Sequence, residues 1–125
     1  MTGEERRIIL DRGFDRTVDV VLDAFLQEGF RLNPVSAGDL RPRQASPRAQ
    51  RYAMLDAVLP ELAFEPPTAL GCRVSIFELT AGCTLVTIAR PAVGYPVPAA
   101  LLPQVAERVG HVVRMLLRTG SLTAA

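Results

Sequence analysis

The chain has no lysine and no tryptophan, one histidine and two cysteines among its 125 residues. Each shortage removes a class of chemistry. Without an ε-amine there is no Schiff base, no Walker-type phosphate lysine and no lysine general base. One histidine, His111, and two cysteines, Cys72 and Cys83, exclude a zinc site of four cysteines or of two cysteines and two histidines. No cofactor is expected. Prolines and arginines break every apolar run short of the ~18 residues of a membrane span. The start, Met1-Thr-Gly-Glu-Glu-Arg-Arg-Ile, lacks the apolar stretch of a signal peptide. The chain is therefore expected in the cytoplasm, with reduced cysteines and no membrane partner. All 14 basic residues are arginine, and against 13 acids they leave a formal charge of +1. That balance argues against duplex DNA as a partner.

What is present fits one domain over residues 1–120 with a tail at 121–125. Arg7–Leu10 is a β-branched run closed by Asp11-Arg12-Gly13, and it reads as a first strand. Phe14, Val18, Val21, Leu22 and Phe25 then recur at helical spacing, with Asp15 near the N-terminus and Gly29 as the stop. Phe30–Leu32 reads as a short strand halted at Asn33-Pro34, and residues 35–50 read as loop from their Pro, Gly, Ser and Arg content. Arg51–Leu59 is ambiguous by period. Pro60 at a first helical position predicts a short helix, Pro60–Glu65, with an extended segment before it.

Thr68–Thr80 and Cys83–Arg90 flank Ala81-Gly82 and form the clearest hairpin. A three-residue loop sets Leu79 opposite Cys83, Val74 opposite Ile88 and Ile76 opposite Val86, and it gathers the β-branched residues on one face. After the proline-rich segment 91–98, a last helix is expected from about Ala99 to Arg118, with Pro103 in its first turn. Its stripe is Leu101, Val105, Val109, Val112 and Leu116, with Glu107, His111, Arg114 and Arg118 on the polar side. The resulting fold class is α+β: a curved antiparallel sheet with two main helices packed on one face, plus a short helix.

The run Tyr52-Ala-Met-Leu-Asp-Ala-Val-Leu-Pro60-Glu61-Leu62-Ala63, followed by Leu70-Gly71-Cys72-Arg73-Val74-Ser75-Ile76-Phe77-Glu78, resembles the signature of the prokaryotic domain of unknown function 302 family. It departs from the family pattern at Leu59, Gly71 and Arg73, where that pattern has asparagine, proline and asparagine. The resemblance implies a small α+β fold of the TATA-box-binding-protein-like kind, with Arg51–Val58 as a strand and homodimers as the assembly. It implies no reaction.

Four sets of residues are candidates for function. Cys72 matches the family's cysteine and, beside Arg73, is the candidate thiol of a redox or hydrolytic enzyme; as a neighbour of Val74 and Ile76 on one strand face it reads first as a small buried residue. A disulfide between Cys72 and Cys83 is excluded by ~23 Å of strand at ~3.3 Å per residue. Arg41, Arg43, Arg48 and Arg51 carry four positive charges with no acid between them. They are the anion-binding candidate, for phosphate, RNA or a small anionic ligand, set against a merely solvated basic loop. Asp11, Asp15, Asp19 and Asp23 recur every fourth residue, a like-charge arrangement that calls for compensation by Arg16, the helix dipole or the arginine loop of a partner chain. His111 on a polar helix face reads as solvated, with Glu107 and Arg114 as its neighbours. Last, Arg73, Ser75, Phe77, Leu85 and Thr87 share the mixed face of the hairpin, with Tyr95 as a lid; this is half-solvated surface, dimer interface or pocket floor. The favoured reading is a non-catalytic homodimeric module for a small ligand or a protein partner.

Overall fold

Strand-forming sequence dominates the chain, and the strands join into one antiparallel sheet. The structure, a computed structural model, describes residues 5–40, 50–64, 68–89, 102–118 and 121–124. In chain order these form β1 (Glu5–Leu10), α1 (Phe14–Gln27), β2 (Arg31–Leu40), β3 (Gln50–Phe64), β4 (Thr68–Thr80), β5 (Cys83–Ala89), α2 (Leu102–Arg118) and β6 (Ser121–Ala124). The sheet order is β2-β3-β4-β5-β1-β6.

Strand alternation separates two faces. Ile8, Leu10, Leu55, Ala57, Leu59, Cys72, Val74, Ile76, Val86 and Ile88 are all buried, and cross-strand pairs such as Ile8–Val86, Leu55–Val74 and Val74–Ile88 place them on one side. Both helices lie on that side. Val21, Ala24 and Phe25 of α1 and Val105, Val109, Val112, Val113 and Leu116 of α2 complete a single core with them. Full burial of each large side chain stabilises by about 1.5–3 kcal/mol, so this two-layer core is the main source of stability.

The ends of α1 follow from local chemistry. Gly13 is the N-cap without a side-chain cap, so Asp15 acts in the first turn through the helix dipole and not as a cap. At the other end Gly29 has φ +87°, Gly29 N–H donates to the Leu26 carbonyl and Phe30 N–H to the Phe25 carbonyl, each at 3.1 Å. This is a Schellman ending, and its hydrophobic contact is the edge-to-face pair Phe25–Phe30, with centroids 5.0 Å apart. Arg108 Nη1 of α2 donates to the Glu28 carbonyl at 2.6 Å, and His111 Nδ1 lies 3.0 Å from Glu28 Oε1. His111 is thus half-buried against α1, not solvated beside Glu107 and Arg114 as the sequence implied.

The main architecture agrees with the sequence reading, and four local expectations are corrected. Pro34 does not end β2: the strand runs on to Leu40 through a register shift between Pro34 and Ser36. It is an edge strand, where a residue without an N–H costs nothing on the outward side. The helix expected at Pro60–Glu65 is absent over Pro60–Phe64, which continues β3 past an irregularity between Leu59 and Phe64. In the hairpin Val74–Ile88 and Ile76–Val86 pair as expected, but Thr80, not Leu79, faces Cys83. The turn is the two residues Ala81-Gly82, and an extra residue at Leu79 restores the register that the longer loop was invoked to explain. Residues 121–124 are not a tail; they form β6, paired with β1. These shifts bend the strands and curve the sheet.

Candidate functional site

Two surfaces collect the chemistry-bearing residues. The first is the sheet face that neither α1 nor α2 covers. Pairings Phe77–Leu85, Ser75–Thr87 and Arg73–Ala89 put the five hairpin candidates there, and Tyr52–Phe77, Met54–Ser75 and Asp56–Arg73 extend the face across β3. Ile9–Leu85 and Arg7–Thr87 extend it across β1. Ile9, Tyr52, Met54, Phe77 and Leu85 are each partly exposed and form the apolar middle. Tyr52 stacks on Phe77 with centroids 6.4 Å apart and planes 24° from parallel, and its hydroxyl oxygen accepts from Ser36 Oγ at 3.2 Å.

Charge at this face comes mainly in pairs. Arg73 grips Asp56 with two bonds, Nε to Oδ1 at 2.8 Å and Nη2 to Oδ2 at 3.2 Å, while Arg7 meets Glu5 at 3.1 Å. The hydrogen bonds and charge of Asp56 raise the pKa of Arg73, so its guanidinium stays charged at any ordinary pH. Arg31, opposite Val58, adds an exposed cation at the rim. A fork held this way favours carboxylate or phosphate geometry only if the ligand displaces Asp56. Arg73 therefore serves the face as half of a neutral pair.

The second surface is a cleft of about 390 Å³ between the first half of α1 and the β2–β3 ribbon, lined by Phe14, Asp15, Val18, Asp19, Ala37, Gly38, Arg51, Tyr52 and Ala53. Here the two charge clusters of the sequence meet. Arg51 Nη2 pairs with Asp15 Oδ1 at 2.9 Å, and its guanidinium carbon lies 4.6 Å above the centre of the Phe14 ring. Chiefly through that hydrogen bond, Arg51 holds the Asp15 carboxyl below the usual aspartate value. Compensation of the aspartate row at Asp15 thus comes from the chain's own Arg51 and requires no partner chain. Glu78, buried at the edge of the core, accepts the backbone N–H of Arg51 at 3.2 Å and fixes the root of that side chain. Asp23 is met by Gln27 Nε2 at 2.6 Å.

The remaining candidates divide by position. Cys72 is 1% exposed within the core, where a solvent-borne substrate does not reach its sulfur. Neither cysteine is in a disulfide. Arg41, Arg43, Arg48 and Tyr95 lie outside the described residues, so of the arginine cluster only Arg51 is placed. Among the described residues no group of three or more His, Cys, Asp or Glu side chains is arranged to hold a metal. Ile9 and Met54 escaped the sequence reading. The signal for Ile9 was Ile8-Ile9, two consecutive apolar residues in a short strand, which must face opposite sides. Asp19 and Phe14 were noted only as a charge and a core residue, since nothing local shows that β3 returns to α1. Comparison with protein-family models, curated proteins and solved structures finds no match.

Proposed function

We propose that this chain is a non-catalytic interaction module whose uncovered sheet face is the contact between two copies. The observation that carries the reading is the one-sided placement of the helices, which leaves Ile9, Tyr52, Met54, Phe77 and Leu85 contiguous and only half shielded across four strands. An apolar centre ringed by polar groups is the composition of an interface. Self-association suits it because the Arg73–Asp56 and Arg7–Glu5 pairs cancel most of the charge, so two copies meet across a two-fold axis without strong repulsion. Two cysteines outside any disulfide suit a reducing compartment, and we place the protein in the cytoplasm. Membership of the domain of unknown function 302 family is part of the same proposal, supported by the signature-like run and by the strand that Arg51–Val58 forms within β3.

Sedimentation equilibrium of the wild-type chain and of Leu85→Arg tests it. A dimer at high micromolar concentration that Leu85→Arg converts to a folded monomer, with unchanged far-ultraviolet circular dichroism, is the expected result. A wild-type monomer at all concentrations, or a dimer indifferent to Leu85→Arg, overturns it.

A further inference from the structure

The cleft beneath the β2–β3 ribbon is separate from the dimer proposal and shares only Tyr52 with the open face. Its charges do not cancel. Asp15 and Asp19 stand one helical turn apart, Arg51 is bound to Asp15, and no ion pair or side-chain hydrogen bond ties Asp19 among the described residues. Like charges at this spacing repel, and only one of the two is offset. Apart from these charges the side chains that line it are apolar: Val18, Ala37, Ala53 and Phe14. The guanidinium of Arg51 over Phe14 shows that a flat cation fits against this wall. At about 390 Å³ the cleft is within the range of small-molecule sites.

We propose that the cleft binds a small organic cation, an amidinium, guanidinium or primary ammonium on a short apolar body. The cationic head pairs with Asp19 beside the Arg51–Asp15 pair, and the body lies along Val18, Ala37 and Ala53. An anion is disfavoured because it must strip Arg51 from Asp15 and then sit beside two carboxylates. Free metabolites and arginine side chains of other polypeptides both carry this chemistry.

The test titrates benzamidine, its neutral isostere benzamide and the tripeptide Gly-Arg-Gly into the isotopically labelled full chain, following backbone amide shifts. Benzamidine is expected to shift the amides of residues 15, 18, 19, 51 and 53, benzamide far less. Asp19→Asn should weaken benzamidine by about tenfold, the scale of one charge-assisted hydrogen bond, while Asp23→Asn on the same helix should not. Binding of the tripeptide as well identifies an arginine side chain as an acceptable source, and binding of benzamidine alone identifies a free small molecule; both support the site. Equal response to benzamide and benzamidine, no response to any probe, or indifference to Asp19→Asn in a normally folded variant overturns it. Leu85→Arg should leave the titration unchanged, so failure of the dimer and failure of this site are read separately.

Discussion

Thr17 is fully buried on the core side of α1, and its hydroxyl oxygen has no hydrogen-bond partner among the described residues. A helical threonine often donates to the carbonyl four residues back, here that of Gly13; that oxygen accepts the Thr17 backbone N–H at 3.0 Å, and the Thr17 hydroxyl makes no bond to it. Thr17→Val replaces the hydroxyl with a methyl of nearly the same shape. A buried hydroxyl without a partner costs about 1–3 kcal/mol, a buried methyl contributes about 0.8 kcal/mol, and the helix propensities of the two residues are nearly equal. Thr17→Val should therefore stabilise the fold by about 1–3 kcal/mol. In urea the midpoint should rise with an unchanged slope, and in thermal scans the gain should be roughly 4 °C per kcal/mol. Thr17→Ala, which also deletes a buried methyl, should fall well short of the valine variant. A Thr17→Val chain less stable than wild type would refute the reasoning, because it would mean that the hydroxyl is satisfied by the backbone or by water.

Other expectations concern the helix ends and the thiols. Because Arg51 lowers the Asp15 pKa, the contribution of this pair is fully present above the unfolded-state value near pH 4 and is lost as pH falls through the lower folded value. Carboxyl titration by nuclear magnetic resonance should show Asp15 protonating later than ordinary aspartates, and moving back to their range in Arg51→Ala. Gly29→Ala should cost about 1–2 kcal/mol in urea unfolding, since it forces a side chain to φ +87° and sets a Cβ 3.2 Å from Arg108 Nη1; a neutral result would mean that the Schellman ending is not needed. In a thiol-reagent assay on the native chain, partly exposed Cys83 should label first and Cys72 only on unfolding. Rapid labelling of Cys72 would reopen the thiol-enzyme reading.

What could be read in advance followed from periodicity. The stripe of α1, the strand β1 and the pairs Val74–Ile88 and Ile76–Val86 all rest on alternation or helical spacing, because one face of each element is buried. β2 past Pro34 has no such pattern: residues 33–38 are exposed on an edge strand, so nothing selects apolar residues there. Pro60 satisfies two different physical demands, the first turn of a helix and an irregularity in a strand, and its neighbours do not choose between them. Thr17 was missed because a polar residue in the middle of an apolar stripe looks like its boundary. The Arg51–Asp15 contact spans 36 positions, and only the return of β3 beside α1 brings the two together.

The sheet order also sets how the chain can assemble. β2 to β5 lie side by side in sequence order, so β3, β4 and β5 each pair with the strand before them, whereas β1 must close against β5 across almost the whole intervening chain before β6 can add to it. Loop closure of that length is entropically slow, which assigns nucleation to the central hairpins and leaves the first and last strands to dock late. Transition-state φ values should then be high for Val74 and Val86 and low for Ile8, and the reverse order would place nucleation at the edge instead.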